Sequence, residues 1–203
     1  MALTTPASQT IVISKLNKAA TGLSAGVSGI AALSIGVTAL TSDRPAIALF
    51  ALALAGSNLG FLRYNFNPAT IFMGDGGSYF LGFGLAGLCV LEFATVASPV
   101  QLLPFVILAV PILDMVFVIL ARLQDGQSPF TPDKRHLHHR LLALGASQRS
   151  SAIYIYGLTL LSGSSAIALL GLTWGYWVAT ASGAFAIALS WQLYQQQAPK
   201  QES

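Results

Sequence analysis

Long apolar runs dominate this sequence and restrict the folds that it can adopt. A helix that crosses a bilayer needs about 20 predominantly apolar residues, and six stretches of the chain approach or exceed that length: 19–41, 45–62, 78–98, 100–121, 151–170 and 172–193. Charged residues make up 8% of the 203-residue chain, whereas soluble domains carry roughly 25%. The sequence therefore predicts an all-α fold, a polytopic membrane bundle of about six transmembrane helices.

The placement of lysine and arginine predicts the orientation of this bundle. With a cytoplasmic N-terminus, nine of the ten basic residues fall in cytoplasmic segments and Arg44 falls in an outer loop, as the positive-inside rule requires. We therefore expect a cytoplasmic N-terminal segment 1–18, a membrane domain 19–195 and a cytoplasmic tail 196–203. The same bias places both polar loops in the cytoplasm: 63–77 and 122–150. Basic residues so few and so placed do not indicate nucleic-acid binding.

The first polar loop ends in Gly74-Asp75-Gly76-Gly77-Ser78, directly before an apolar run. One interpretation is structural: Asp75 or Ser78 caps the following helix. The other is a magnesium site, because Mg²⁺ is held by one or two carboxylates together with waters and substrate phosphates. A helix N-terminus with flexible glycines would also bring backbone N–H groups towards phosphate oxygens.

A second carboxylate, Asp114, interrupts the fourth apolar run. A charge at the centre of a membrane helix costs roughly 2.5–3.5 kcal/mol on insertion scales, so such residues usually face a bundle interior or a polar cavity. Asp114 is therefore a candidate catalytic residue together with Asp75, and the alternative is a structural hydrogen bond between helices. Pro111, one turn earlier, is expected to kink the helix and free a backbone carbonyl.

The second polar loop contains the segment TPDKRHLHHRLLALG, which holds all three histidines of the chain. Three interpretations are open. The histidines bind zinc with Asp133, although their spacing fits no standard structural zinc site; the loop is simply basic and solvated, as cytoplasmic loops often are; or it binds an anion. In the last case imidazole and guanidinium groups donate to a diphosphate.

Two motifs, read together, carry a family resemblance. NFNPATIFMGDGGS in the first loop and SPFTPDKRHLHHRLL in the second, the latter preceded by PILD and Arg122, resemble the prenyl-phosphate N-acetylhexosamine-1-phosphate transferases of glycosyltransferase family 4. The resemblance runs over about residues 22–195. It points to the branch that uses UDP-N-acetylglucosamine in the first lipid-linked step of cell-envelope glycan synthesis.

This resemblance implies an enzyme, its cofactor and its partners. An Mg²⁺-dependent transferase of this family, in the bacterial plasma membrane with its active face cytoplasmic, passes N-acetylhexosamine 1-phosphate from a UDP-N-acetylhexosamine to polyprenyl (undecaprenyl) phosphate and releases UMP. By motif position, Asp75 corresponds to the family's metal-binding aspartate. The residues that correspond to its donor-binding loop are Asp133, His136, His138, His139 and Arg140.

The N-terminal part of the chain departs from the family pattern. The family carries an Asp-Asp pair in an earlier helix and an acidic segment before the stretch that here reads GLSAGVS. At the corresponding positions this chain has Lys15, Lys18 and Thr21. The resemblance therefore implies the C-terminal portion of the fold. Either the chain is an active transferase, or it is a catalytically incomplete member that acts as a fragment, as a homodimer or with a separate N-terminal chain. A transporter with an intramembrane carboxylate is the alternative outside the family.

Overall fold

A computed structural model describes residues 22–93, 102–128 and 135–197, with side chains up to residue 190. All regular secondary structure in these ranges is helical, which confirms the predicted all-α class. The helices of the described ranges are α1 Leu23–Thr41, α2 Pro45–Asn65, α3 Gly74–Phe93, α4 Leu103–Ile107, α5 Ala109–Gln124, α6 Leu137–Ala143, α7 Gln148–Leu169 and α8 Thr173–Gln197. The N-terminal segment 1–18, Thr21 and Asp133 lie outside the described residues.

The long helices follow the apolar runs of the sequence. Among the described helices, α1, α2, α3 and α7 are long and apolar enough to cross a membrane. The sixth run, 172–193, corresponds to α8. This helix has 25 residues and is not among these four. The predicted number of six spans therefore remains a prediction, while the helical membrane bundle itself is supported.

The fourth apolar run is divided at Leu108 into α4 and α5. Pro111 has no N–H to donate to the carbonyl of Ile107, four residues earlier. In the structure the Ser162 hydroxyl of α7 donates to that carbonyl over 3.3 Å. The expected effect of Pro111, an interrupted helix with a freed carbonyl, is thus present, and a serine of a neighbouring helix satisfies the exposed acceptor.

Helix α1 lies at the centre of the bundle, where it packs against α2, α3 and α7. Its buried face consists mainly of small residues, which allow neighbouring backbones to approach closely. At Gly26 a Cβ atom would overlap the ring of Tyr156 of α7, and the Tyr156 hydroxyl donates to the carbonyl of Gly22 over 2.6 Å. The small-residue spacing of Gly22 and Gly26 therefore serves the contact between α1 and α7.

Large apolar side chains cover the outside of the bundle. Six of them, on four different helices, are 70–83% exposed: Phe50, Tyr79, Phe83, Leu169, Trp177 and Ile187. Soluble monomers rarely expose contiguous apolar surface on this scale, and such a surface marks contact with lipid or with other proteins. The exposed apolar residues agree with a bundle whose outer surface faces the bilayer.

The two polar loops meet at one end of the bundle. The guanidinium of Arg149, at the start of α7, donates to the backbone carbonyl of Asn67 over 2.8 Å, and the Asn67 side chain donates to the side chain of Gln148. At the opposite end Arg44 donates to the carbonyls of Leu91 and Glu92 and so caps the last turn of α3. The basic residues described in the loops thus share one end, as the charge pattern predicts.

Cysteine labelling will determine which side of the membrane this end faces. In a variant without Cys89, a cysteine at Ser128 or Ser147, both exposed at the loop end, should be labelled only from the cytoplasmic side. Ala46→Cys, exposed at the start of α2, is the matched control and should be labelled only from outside. Labelling of Ser128→Cys from outside intact cells would reverse the predicted orientation.

Candidate active site

Asp114 of α5 holds the first residues of α6. Its Oδ1 accepts the backbone N–H of Leu137 over 2.6 Å, and its Oδ2 lies 2.9 Å from Nδ1 of His136. The first N–H groups of a helix have no partner within the helix and favour a negative charge beside them. The structural hydrogen bond between helices, weighed from the sequence, is therefore present, and a catalytic role for Asp114 remains a prediction.

The three histidines lie side by side at this helix start. The rings of His136 and His138 are stacked with centroids 6.2 Å apart, and those of His138 and His139 are tilted with centroids 4.0 Å apart. Burial lowers the pKa of His138 to about 4, and the neighbouring His139 and His136 act in the same direction against Asp114. His138 is therefore uncharged at neutral pH and can contribute hydrogen bonds rather than charge.

The geometry of the histidines gives the zinc interpretation no support. Within the described ranges, no group of three histidine, cysteine, aspartate or glutamate side chains is arranged to hold a metal ion. The fourth proposed ligand, Asp133, lies outside those ranges. The stacked imidazoles instead present adjacent donors and acceptors, an arrangement suited to the oxygens of an anion.

Arg140 completes the part of the second motif that the structure describes. Its guanidinium lies over the ring of Phe117 of α5, 4.5 Å from the centroid, which is within the range of a cation–π contact. The residue is exposed, so the planar guanidinium is oriented by Phe117 while remaining accessible to a ligand. Arg135, just before α6, pairs with Asp125 over 2.6 Å.

Asp75 lies in the first turn of α3 and is exposed. Within the described part of the chain, no hydrogen bond to its carboxylate is found. Ser78 does not cap the helix either, because its hydroxyl donates back to the carbonyl of Gly74 over 3.1 Å. The capping interpretation of Asp75 and Ser78 thus finds no hydrogen bond to support it, and the carboxylate is accessible at a helix N-terminus.

Asn65 and Asn67, to which the sequence assigned no role, hold the loop that leads to Asp75. The buried Asn65 accepts the N–H of Gly22 through Oδ1 and donates to the carbonyl of Ile71 through Nδ2, each over 2.8 Å. Asn67 is held by α7 through its contacts with Gln148 and Arg149. The two asparagines therefore hold the loop that joins α2 to α3 against the starts of α1 and α7.

A cavity of about 440 Å³ lies among α1, α3, α5, α6 and α7. Its walls are mainly apolar, and its polar lining consists of Ser24, Ser28, Ser78, Asp114 and His138. Its size is within the usual range of ligand pockets. Asp75 is not part of the lining, but it precedes Ser78 by three residues on the same helix face. The cavity thus connects the two motifs.

Ser24 and Ser28 of this lining were not identified from the sequence, and Ser78 was considered there only as a helix cap. Ser24 and Ser28 are four residues apart in α1, so they share one helix face. That spacing was visible, but serines at such spacing are also ordinary packing residues in membrane helices. Their assignment to a cavity requires the packing of α3 and α5 against α1.

Among the residues that the structure describes, Asp75 fits a magnesium ion that substrate phosphates and waters also hold. Asp75 supplies one accessible carboxylate, and no all-protein cage surrounds it in the described ranges. Mg²⁺ commonly keeps several waters and binds one or two carboxylates together with substrate phosphates. The site therefore suits an ion that is held jointly by Asp75 and a bound diphosphate.

These features define a helical membrane protein with a mainly apolar cavity whose lining includes the ionisable side chains of Asp114 and His138. Residues 11–92 match the model of glycosyl transferase family 4. A probable undecaprenyl-phosphate N-acetylglucosaminyl 1-phosphate transferase of Bacillus subtilis is 43% identical over 75% of this chain and 43% of its own length. No solved structure shows a significant match.

Two further relatives extend the comparison. A decaprenyl-phosphate N-acetylglucosaminephosphotransferase of Mycobacterium leprae is 39% identical over 66% of this chain and 39% of its own length. An undecaprenyl-phosphate alpha-N-acetylglucosaminyl 1-phosphate transferase of Escherichia coli is 28% identical over 66% of this chain and 38% of its own length. The chain thus spans less than half the length of these relatives. Within the matched region, it is similar to glycosyl transferase family 4 and to these relatives.

Proposed function

We propose that the chain carries the donor-binding and metal-binding face of a prenyl-phosphate N-acetylhexosamine-1-phosphate transferase. The donor is a UDP-N-acetylhexosamine, with N-acetylglucosamine as the sugar, the acceptor is a polyprenyl phosphate, and UMP is released. The face lies on the cytoplasmic side of a bacterial plasma membrane. The names of the relatives, which combine a prenyl phosphate with N-acetylglucosamine 1-phosphate, support this choice.

One structural observation carries the proposal: residues from both motifs line a single cavity. Ser78 from the first motif and His138 from the second share its lining with Asp114. The reaction must bring a water-soluble diphosphate to a phosphate on an apolar chain. A mainly apolar cavity that is also lined by polar side chains matches both substrates, since its apolar walls suit a prenyl chain and its polar groups suit the phosphates.

The basic loop would hold the donor. The Arg140 guanidinium, oriented by Phe117, offers planar paired donors to a diphosphate oxygen. The uncharged His138, which lines the cavity, would contribute a hydrogen bond at the point where donor and acceptor phosphates meet. In the transfer, an acceptor phosphate oxygen bonds to the sugar-linked phosphorus, and the bond from that phosphorus to the oxygen of the departing UMP breaks. Holding both phosphates in line accounts for most of the catalysis in such transfers.

Asp75 would hold magnesium at the edge of this cavity. The ion would neutralise charge on the diphosphate and stabilise the leaving phosphate. The position of Asp75 in the first turn of α3 places it beside backbone N–H groups that also favour phosphate oxygens. The mainly apolar walls of the cavity would hold the first part of the prenyl chain and exclude water.

Donor binding tests the proposal most directly, because the chain spans only part of its relatives. His138→Ala should weaken UDP-N-acetylglucosamine binding by about tenfold in the presence of Mg²⁺, which corresponds to one hydrogen bond to a charged group. Titration calorimetry of the purified protein in detergent will measure this change. Gln127→Ala, exposed near the same end, is the control and should bind as the unmodified protein does.

The pH dependence distinguishes hydrogen bonding from charge at His138. The pKa of His138 lies near 4, so its contribution should stay constant from about pH 8 to about pH 5 and fall only below that. A free imidazole would instead change charge near pH 6.5. A loss of donor binding that follows a titration near pH 6.5 and disappears in His138→Ala would contradict the proposed role. Stoichiometric zinc that His138→Ala releases would favour the metal interpretation.

A further inference from the structure

We propose that Asp114 is a positioning residue, which anchors the start of α6 to α5 and thereby holds His138 in the wall of the cavity. This inference rests on the proposed function, because it assigns Asp114 a task within the same site. It differs from a catalytic assignment, in which the Asp114 carboxylate would touch a substrate or metal directly.

The hydrogen bonds of Asp114 support an anchoring role. Both carboxylate oxygens are engaged by protein groups, Oδ1 by the N–H of Leu137 and Oδ2 by His136. These two contacts tie the Asp114 carboxylate to the start of α6. Asp75 is different, because no hydrogen bond to its carboxylate is found in the described ranges. Asp114 therefore stabilises the protein around the site, whereas the Asp75 carboxylate is available to a ligand.

Helix α6 needs such an anchor because of its length. It has seven residues, and isolated helices shorter than about 12 residues are marginal in water. Its second half is fixed by Leu141, which is buried in a cluster with Ala146 and Ile155. Its first half, which contains His138, is joined to α5 by Asp114. Loss of the Asp114 contacts should therefore release the histidine end while Leu141 keeps the other end in place.

Substitutions can separate the hydrogen bonds from the charge. In Asp114→Asn, the side-chain carbonyl can still accept the N–H of Leu137, and the amide can donate to an unprotonated Nδ1 of His136. Asp114→Leu keeps the branching at Cγ with a larger side chain but has no acceptor, so the N–H of Leu137 loses its partner. A donor that is fully buried without a partner costs about 1–3 kcal/mol, which is roughly 5- to 150-fold in the opening equilibrium. The N–H of Leu137 is partly buried, so its effect should lie in the lower part of this range.

The test combines amide hydrogen exchange with donor binding in the full chain. In Asp114→Leu, exchange of the α6 amides should rise about tenfold and UDP-N-acetylglucosamine binding should weaken by about tenfold. Asp114→Asn should stay within about threefold of the unmodified protein in both. Asp125→Leu is the matched control, since it removes an exposed carboxylate that pairs with Arg135 beside the same segment, and it should change neither quantity.

A second variant keeps the inference testable if Asp114→Leu fails to fold. Leu137→Pro removes the N–H that Asp114 accepts, and proline is tolerated at the first position of a helix. The leucine side chain, which packs against the Leu141 cluster, is also lost, so Leu137→Ala, which keeps the N–H, is the control and should raise exchange less. The extended backbone of His136, with ψ 151°, is also compatible with a following proline. Exchange of the remaining α6 amides should rise in this variant, whereas exchange of the central helix α1 should not change.

Three results would overturn the inference. The first is unchanged exchange of α6 in Asp114→Leu, and the second is unchanged exchange of α6 in Leu137→Pro. The third is complete loss of donor binding in Asp114→Asn with α6 still protected, because the charge itself would then act on the ligand. Absence of donor binding by the unmodified protein would contradict the proposed function instead, and the exchange measurements would still decide whether Asp114 anchors α6.

Discussion

Replacing Asp75 by asparagine is expected to abolish the magnesium dependence of UDP-sugar binding. The carboxylate is exposed at the first turn of α3, and Mg²⁺ would be shared between it and the donor diphosphate. Asparagine keeps the size of the side chain but removes the charge, so the affinity gained on adding Mg²⁺ should fall by about 100-fold, which is about 2.7 kcal/mol. Calorimetric titrations with UDP-N-acetylglucosamine, with Mg²⁺ and with a chelator, will measure this difference.

Asp43 provides a matched control for this substitution. It is also an exposed aspartate, but it lies in the turn between α1 and α2 at the opposite end of the bundle. Its φ of 56° is a left-handed conformation that asparagine adopts readily, so Asp43→Asn should fold normally and bind the donor with full magnesium dependence. Magnesium-dependent binding that survives in Asp75→Asn would show that the ion is held elsewhere.

The sequence predicted most of the helical architecture, because apolar length and proline position act locally. The run 45–62 matches α2 closely, the run 19–41 ends with α1 at Thr41, and Pro111 signalled the interruption at Leu108. The start of α3 was placed four residues too late, at 78 instead of Gly74. Glycine has a low helix propensity, so the segment of three glycines around Asp75 was assigned to the loop although it forms the first turn.

The contacts within the site depend on packing and were less accessible from the sequence. Asp114 and His136 were both singled out, but they are 22 positions apart, and their contact follows from the way α6 folds back onto α5. The order of the histidines along the chain likewise does not indicate which one enters the cavity. Burial decides this, since His138 lines the cavity and has the lowered pKa.

Glu92 illustrates a feature that the sequence did not reveal at all. It lies within the apolar run 78–98, one residue before the end of α3, and the residue is 1% exposed. Its Oε2 makes no hydrogen bond within the described ranges. The Arg44 guanidinium donates to its backbone carbonyl, so the end of α3 is covered by the turn between α1 and α2. A charged residue near the boundary of a span is ordinarily assigned to the interface, and only the packing of the α1–α2 turn against α3 buries this one.

Introducing a methyl group at Gly26 is expected to destabilise the bundle strongly for a single-atom change. A Cβ atom there would overlap the ring of Tyr156, whose hydroxyl is tied to the carbonyl of Gly22, so the ring cannot move without losing that hydrogen bond. Alanine improves helix propensity by about 0.5–1 kcal/mol, but overpacking typically costs 1–3 kcal/mol. The blocked ring places the expected net loss at about 2 kcal/mol.

Thermal unfolding in detergent will compare Gly26→Ala with Gly56→Ala. At Gly56 of α2 an added Cβ meets no atom within 4 Å, so the same chemical change should leave stability equal or slightly raised. The double variant Gly26→Ala with Tyr156→Ala removes the ring and should show coupling between the two sites. If Gly26→Ala proved as stable as Gly56→Ala, α1 and α7 would not be in close contact at Gly26. The contacts of Asn65 with Gly22 and of Asn67 with Arg149, which hold the loop before Asp75 against these two helices, would then need a different arrangement.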